Sequence, residues 1–371
     1  MKLQSICRVL RSLHFCLFLL FFLIPPASAA SSSCDLKPLK GLYFRPYSHQ
    51  SSFWNANGKF IDAVAANLNI ELTNIPIDEV HRNRFGFYEL IKESIDKRNK
   101  PDFIISIFYA KGEENLLSLL DSYDVPFFTV NTSLDEPTLN IIGRPRERFK
   151  NWIGHISPDE SLGGANLVES LTSINHGKNM AVFAATHQSA VNNHRVEGMM
   201  ARAELLGVNV IPPVTTDWTT QSAIKAAQTL FRRVSDFDMI WTAGPDIAEG
   251  VVQVLQQSEH LKANKNLVMG TFDWSSSAIN LVQKGTVDVS YGGHFMESGW
   301  ALLLMRDYLA GLDYQADVGN LLSSELKAID KTNVNEISEL LANDKWKSLD
   351  FRQYSKCYNQ NLERYKFSIL D

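Results

Sequence analysis

The sequence predicts an α/β fold built from two doubly wound parallel-sheet lobes, and two observations predict it. Short runs rich in β-branched and aromatic residues alternate with helical patterns from residue 39 to residue 310. This alternation is typical of parallel sheets whose strands are joined by helices. It is interrupted once, by the polar, turn-rich stretch "NTSLDEPTLNIIGRPRERF" (131–149), and then restarts. A length of 371 residues also suits two domains of ordinary size.

The elements follow from the periodicity of apolar residues. In the first half of the chain, strands are predicted at 39–44, 70–77, 102–108 and 126–130, and helices near 54–67, 85–99 and 112–121. After the crossover, strands are predicted at 151–156, 179–185, 209–214, 237–242, 267–272 and 288–292. Helices are predicted there near 159–174, 194–206, 219–232, 246–258, 275–284 and 297–310, and the last forty residues are helical and polar, then irregular.

The N-terminus has the pattern of a secretory signal peptide. Lys2, Arg8 and Arg11 precede the apolar run "FCLFLLFFLI" (15–24), and "PPASAASSS" supplies small residues for cleavage. A retained membrane anchor is the alternative, but the apolar run is about half the ~20 residues that a spanning helix needs. We therefore expect residues 1–30 to be removed on export.

Cleavage leaves two cysteines, Cys34 and Cys357, near the two ends of the mature chain. In an oxidising compartment such a pair favours a disulfide. Two alternatives stay open, namely two free thiols and a lipid-modified Cys34. The second is disfavoured because "SSSC" lacks the leucine that usually stands three residues before a lipoprotein cysteine.

Aromatic residues follow two of the predicted strands, where ligands bind in doubly wound sheets. Phe53 and Trp54 stand at a helix start after the first strand, and Trp218 precedes a later helix. Such rings can stack on the apolar face of a sugar. The alternative for each ring is packing beneath its own loop.

Polar residues follow other strands, and each again has a structural alternative. Asn131 offers a donor and an acceptor or opens an Asx turn. Arg195 presents a rigid fork of donors or forms a surface ion pair. Asp273 can grip two hydroxyls or cap a helix, and His294 can bind a ligand or lie in a hinge. Together with the aromatic residues they predict a polyol site.

Composition excludes several other functions. The net charge is −5 and no basic block occurs, so nucleic-acid binding has no electrostatic footprint. The sequence has no nucleophile elbow, no metal-ligand spacing and no phosphate-binding loop. We therefore expect a binding protein that is not an enzyme and uses neither a cofactor nor a metal ion.

These segments resemble the type I periplasmic binding proteins, the ribose/galactose-binding family that includes the LuxP-type autoinducer-2 receptors. The resemblance spans about residues 38–312 and is carried by "SSFWNANGKFIDAVAANLNIEL", "VPFFTVNTS", "HISPDESLGGANLVESL", "HRVEGMMARAELLGV", "FDMIWTAGPDIAEGVVQVLQQ" and "VMGTFDWSSSAINLVQKGTVDVSYGGHFMESGWALL". Their order and spacing match, which is more specific than any single motif.

The resemblance implies a ligand-binding role for several of these residues. It places a stacking aromatic at Phe53 or Trp54, the binding arginine at Arg195, an aromatic wall at Trp218 and a carboxylate at Asp273.

The chain also departs from the family pattern. The family commonly has aspartate at the position of Asn131 and arginine at that of Thr132. It commonly has asparagine at Gly244, glutamine at Gly293 and a small residue at Trp274. Asp246 stands near Gly244 as a substitute, and His294 adjoins Gly293. The residues that determine which ligand binds therefore match the family less well than the segments that form the fold.

The same resemblance implies two lobes joined by a three-strand hinge that closes on a ligand. The expected bounds are 36–140 with 294–320 for the N-terminal lobe, 141–293 with 321–350 for the C-terminal lobe, and 351–371 for a C-terminal extension. It implies a periplasmic protein that delivers a sugar or polyol to the permease of an ABC importer. The alternative is a receptor that signals to a sensor kinase or chemoreceptor, which the long tail and the altered site favour.

Overall fold

The structure, a computed structural model, describes residues 37–46, 51–95, 100–109, 111–187, 189–258 and 266–369. The predicted signal peptide (1–30) and Cys34 lie outside these residues, so both stay predictions. Cys357 is disulfide-bonded. No helix among the described residues combines the length and apolar character needed to cross a bilayer.

The first sheet has six strands in the order β12-β5-β4-β3-β1-β2, and every pairing in it is parallel. Its strands are β1 (Leu39–Pro46), β2 (Ile70–Ile77), β3 (Phe103–Ser106), β4 (Phe127–Val130), β5 (Trp152–Pro158) and β12 (Leu321–Ser324). β3, β4 and β5 are buried along their whole length, as expected for strands covered by helices on both faces. This sheet and the helices packed on it form the first lobe.

The second sheet follows the order β13-β11-β10-β9-β6-β7, with β8 paired to β6. Its strands are β6 (Asn179–Ala184), β7 (Asn209–Val210), β8 (Val214–Thr215), β9 (Met239–Thr242), β10 (Val268–Phe272), β11 (Val289–Gly292) and β13 (Lys327–Asp330). Only β13 runs antiparallel, against β11. This sheet and its helices form the second lobe, so the predicted α/β class with two doubly wound parallel-sheet lobes is confirmed.

The helices alternate with the strands as the sequence predicts. They are α1 (Ser52–Asn67), α2 (Arg84–Ser94), α3 (Glu113–Asp121), α4 (Glu136–Ile142), α5 (Glu160–Ile174), α6 (Ala190–Leu206), α7 (Thr220–Phe231), α8 (Pro245–Gln257), α9 (Ser276–Gln283), α10 (Glu297–Leu309), α11 (Gln315–Val318) and α12 (Val334–Leu341). The helix expected at 194–206 thus begins four residues earlier, because Ser189 caps it by accepting from the Asn192 amide. Arg195 consequently lies in the second turn rather than at the helix start.

Two strands lie in a different lobe from the one that the sequence predicts. β5 falls within the range 141–293, expected in the second lobe, but it pairs with β4 in the first sheet. β12 belongs to the range 321–350, also expected in the second lobe, and pairs with β5 in parallel. The stretch 131–149 forms α4 and returns to the same sheet, so the chain passes to the second lobe only after Pro158.

The chain passes between the lobes at three places in the body of the fold: 158–160, 292–297 and 324–327. The segment 342–369 then packs back on the first lobe, where Trp346 and Phe351 contact Phe60 of α1. Its anchor is the buried carboxylate of Asp307 in α10. That carboxylate accepts from Ser355 Oγ at 2.5 Å, the Lys356 amide at 2.7 Å, the Cys357 amide at 3.3 Å and the Tyr365 hydroxyl at 2.7 Å.

Candidate ligand-binding site

The eight predicted site residues lie at the starts of helices and the carboxyl ends of strands in both lobes. Phe53 and Trp54 begin α1, and Asn131 follows β4 in the first lobe. In the second lobe, Trp218 and Asp273 follow strands β8 and β10. Asp246 lies in the first turn of α8, and Arg195 lies in the second turn of α6. His294 lies in the connection from β11 to α10, where the chain returns to the first lobe.

Arg195 is buried and its guanidinium is already engaged by protein groups. It is 2% exposed, and Glu160 at the start of α5 receives its Nε at 2.5 Å and its Nη2 at 3.0 Å. Nη1 donates to the Ala243 carbonyl at 2.7 Å, and the guanidinium lies 4.1 Å from the centre of the Phe272 ring. The ion pair expected as the alternative therefore exists, but it is buried rather than on the surface.

The pKa of Glu160 reflects its burial beside Arg195. Desolvation raises the pKa of the Glu160 carboxyl, while the charge and hydrogen bonds of Arg195 act in the opposite direction. A buried pair of this kind has a fixed geometry, because each carboxylate oxygen of Glu160 accepts from a different guanidinium nitrogen, Nε or Nη2. These bonds hold the Arg195 guanidinium in one orientation, and the Ala243 carbonyl binds its remaining nitrogen, Nη1.

Phe53, His294 and Asp273 form a continuous contact between the lobes. The Phe53 and His294 rings stack with centroids 4.6 Å apart, and His294 Nε2 lies 3.4 Å from Asp273 Oδ1. Desolvation lowers the pKa of His294 well below its usual value and raises that of Asp273 to about 7. His294 is therefore neutral, and Asp273 titrates near neutral pH. Asp273 is not the helix cap, since Ser275 caps α9.

The two tryptophans are half-buried and packed by local partners. Trp54 meets the Phe53 ring edge-on, with centroids 5.0 Å apart, and its carbonyl accepts from Arg45 Nη1. Trp218 lies over Gly244, because a Cβ built on that glycine would be 3.2 Å from the indole. The glycine that replaces the family's asparagine thus makes room for the Trp218 ring.

Asn131 belongs to the first lobe and Asp246 to the second. Asn131 is 9% exposed and its amide donates to Ile156. Its side chain lies beside the buried carboxyl of Glu297 and lowers the pKa of that group, which desolvation raises well above its usual value. Asp246 lies in the first turn of α8, and burial raises its pKa to about 6, with a further contribution from Glu249.

Three of the predicted residues share a left-handed backbone. Asn131, Trp218 and Asp273 have φ values of 69°, 71° and 75°. Non-glycine residues in this region cost of order 1–3 kcal/mol each and persist where the surrounding structure holds them, often at binding sites. Asparagine and aspartate tolerate the conformation better than tryptophan does, so Trp218 is the most constrained of the three.

Residues of both lobes line an open groove of about 620 Å³. The first lobe contributes residues 111–115 together with Ser133, Asp135, Thr138, Ile141 and Ile142. The second lobe contributes Ala190, Asn193, His194 and Glu197. His194 Nε2 and Asp135 Oδ2 face each other across it at 3.9 Å. None of the eight predicted residues lines this groove, since their side chains are buried or half-buried.

A family model described as a periplasmic binding protein domain matches residues 42–313. The chain belongs to the periplasmic binding protein family. No curated protein matches it in sequence. Among solved structures, a periplasmic sugar-binding protein from Pseudomonas fluorescens aligns with a TM-score of 0.76 and 22% identity, covering 89% of this chain and 98% of the other.

Two further structures show the same fold as this periplasmic binding protein. An ABC transporter solute-binding protein from Actinobacillus succinogenes with bound D-allose has a TM-score of 0.69 and 13% identity, covering 81% of this chain and 100% of the other. One from Bacillus halodurans with bound myo-inositol has a TM-score of 0.65 and 12% identity, covering 82% and 98%. The type I fold inferred from the sequence is therefore confirmed.

Sequence reasoning missed two buried acids in this periplasmic binding protein, Glu160 and Glu297, each 1% exposed. Glu160 stands one residue after the helix cap Asp159, a position where an acid normally serves the helix dipole and stays solvated. Glu297 opens α10 in the same way. Both acids begin a helix directly after a passage between the lobes, and this position brings their side chains into the interior.

Proposed function

We propose that this chain is an exported solute-binding protein that captures a sugar or related polyol between its lobes and delivers it to an ABC importer. The observation that carries the proposal is the contact from Phe53 through His294 to Asp273. It joins an aromatic face from the first lobe to a carboxylate from the second. Aromatic faces bind the C–H side of a sugar ring, and carboxylates accept from its hydroxyls.

The mechanism is recognition coupled to a hinge. The three passages between the lobes at 158–160, 292–297 and 324–327 are short, and such segments absorb the dihedral changes of domain closure. A ligand favours the closed state by as much as its affinity for the two states differs. The membrane permease of the importer then recognises the closed form. No covalent step is needed, so we expect no enzyme activity.

Similar proteins support the ligand class. The two solute-binding proteins described above hold D-allose and myo-inositol, both neutral polyols. The alternative, a receptor that signals to a sensor kinase, was favoured by the long C-terminal tail. That tail packs on the first lobe through Asp307, so a structural role accounts for it.

A thermal-shift and calorimetry screen of the mature chain against pentoses, hexoses and inositols tests the ligand class. We expect at least one polyol to raise the melting temperature, since a ligand that binds only the folded state stabilises it. An Asp273→Ala variant should lose that stabilisation. Glu204→Gln, an exposed acid on α6, is the matched control and should keep it.

Two results would count against the proposal. Stabilisation by amino acids or oxyanions without any polyol would refute the ligand class. Delivery is tested separately, by uptake of the radiolabelled polyol in cells with and without the gene. Unchanged uptake in the deletion strain would refute the importer role.

A further inference from the structure

The interior of the cleft contains more carboxyl groups than cations. Glu160, Asp273 and Glu297 are buried, and Asp246 is half-buried. Asp273 lies within electrostatic range of Glu160 and Asp246, and Glu297 lies within range of Glu160. In the described part of the chain, the basic groups that act on this set are Arg195 and, when it is protonated, His194 beside Glu160. The charge of Arg195 is matched by the bidentate contact with Glu160.

Asp273 and Glu297 are consequently left without a cationic partner of their own. The neutral His294 lies beside Asp273, with Nε2 at 3.4 Å from Oδ1. Glu297 accepts from the Ser324 hydroxyl through Oε1 and lies beside Asn131, both uncharged. Burying an ionised carboxylate without a partner is unfavourable, and for this reason burial raises the pKa of both groups. A partner from outside the chain would remove that cost.

Two buried polar atoms in the same region have no hydrogen-bond partner among the described residues. They are Nδ1 of His294, in a residue 4% exposed, and Oε2 of Glu297, in a residue 1% exposed. Because His294 Nε2 faces the Asp273 carboxylate, we assign the proton to Nε2, which leaves Nδ1 as an acceptor. Buried acceptors are nearly always satisfied. His294 Nδ1 therefore lacks a donor, and Oε2 of Glu297 lacks one when the carboxyl is ionised.

We infer that the ligand is a polyol bearing a protonated amine, such as an aminosugar or aminohexitol, whose ammonium group interacts with Asp273 and the acidic groups around it. An ammonium supplies three donors and the missing positive charge together. Hydroxyls of a neutral polyol would satisfy the acceptors but would not favour the ionised form of these two carboxyl groups, whose pKa values burial raises. The inference rests on the proposed function, since it names the charge of the same ligand.

The charge balance also predicts how binding depends on pH. The titratable groups facing Asp273 are Glu160 of α5, Arg195 of α6, Asp246 of α8 and His294 of the β11–α10 connection. In the free protein, burial holds the pKa of Asp273 at about 7, so below pH 7 the carboxyl is protonated. An ammonium ligand must displace that proton. Its affinity should then rise about tenfold per pH unit up to pH 7, on the order of 100-fold between pH 5 and pH 8.

The test compares matched pairs of probes by calorimetry on the mature chain. Each amine is measured against its parent and its N-acetyl form: 2-amino-2-deoxyhexoses against hexoses and N-acetylhexosamines, and 1-amino-1-deoxyhexitols against hexitols. We expect an amine to bind at least about 10-fold more tightly than both neutral forms at pH 7. The aminohexitol should also show the rise in affinity with pH.

Two variants locate the effect. Asp273→Asn and Glu297→Gln should each reduce the ratio of amine to parent affinity, and Asp273→Asn should flatten the pH profile. Glu204→Gln removes one exposed acid from the same protein and should change neither. Circular dichroism and melting temperature show whether each variant is folded, and Asp273→Glu, which keeps the charge, should retain the preference.

The outcomes separate this inference from the proposed function. If neutral hexoses, inositols or hexitols bind as tightly as their amines, with an affinity independent of pH, the inference is wrong and the polyol-binding function stands. If no polyol of either kind binds, both are wrong. A preference for amines that survives in both Asp273→Asn and Glu297→Gln would overturn the placement of the ammonium group.

Discussion

Replacing Arg195 should destabilise the fold as well as affect binding, because the guanidinium is the partner of a buried carboxylate. The informative change is Arg195→Met, which keeps an unbranched side chain and removes the charge. Glu160 is 1% exposed and loses both hydrogen bonds from the arginine. Removing one partner of a buried pair costs about 3–5 kcal/mol of the free energy of unfolding.

The sign of the pH dependence follows from Glu160. Arg195 is the largest influence that lowers the pKa of Glu160, so its loss raises that pKa further. An acid whose pKa is raised in the folded state stabilises least above that pKa, where folding must bury the charge. The cost of Arg195→Met should therefore grow from pH 5 to pH 8, by up to about 1.4 kcal/mol per pH unit. Glu160→Gln leaves the arginine charged throughout, so its cost should stay flat.

Urea unfolding of wild type and both variants at pH 5 and pH 8 measures these costs. The double variant Glu160→Leu/Arg195→Met should be less destabilised than the sum of the single changes, because it leaves no unpaired charge. A stable Arg195→Met protein that has lost ligand affinity at both pH values would refute the reasoning. Arg195 would then be a ligand contact whose ion pair contributes nothing to folding.

Three further outcomes can be checked directly. Gly198→Ala should lower the melting temperature by several degrees, because the new Cβ would lie 1.7 Å from the Ser161 carbonyl oxygen and force α5 and α6 apart. Asp307→Asn should release the tail to limited proteolysis at a lower protease concentration than wild type, because it weakens charge-assisted bonds worth about 1.5–3 kcal/mol each. Mass spectrometry of the non-reduced mature protein should show Cys34 linked to Cys357, and two alkylatable thiols would contradict it.

Most of the fold could be predicted because its signals are local. Buried parallel strands are continuous apolar runs, and amphipathic helices separate them, so each element is visible in its own sequence. The strand predicted at 209–214 shows the limit. It is split into β7 (209–210) and β8 (214–215) around Pro212 and Pro213, which have no amide hydrogen for a ladder.

The placement of β5 and β12 could not be predicted in the same way. Which sheet a strand joins depends on the neighbour that it pairs with, and β5 pairs with β4 across the intervening stretch 131–149. Turn residues there predict a change of direction but do not specify where the chain returns. β12 and β13 are four-residue strands with exposed positions, so their apolar pattern is too short to be recognised in the sequence.

The site shows the same division between local and distant causes. Residues such as Asp273 could be nominated because each follows a strand end, a position that the sequence displays. Their partners could not, because Glu160 and Arg195 are 35 residues apart and meet only when α5 packs against α6. That packing is so close that a Cβ on Gly164 would lie 2.0 Å from the Arg195 carbonyl oxygen. Once the helices meet, the arginine that a sequence reader assigns to the ligand already has an acid of its own. Asp273 and Glu297 are then the buried carboxyl groups that have no cation of their own in the described part of the chain, and this is why we infer a positively charged group on the ligand.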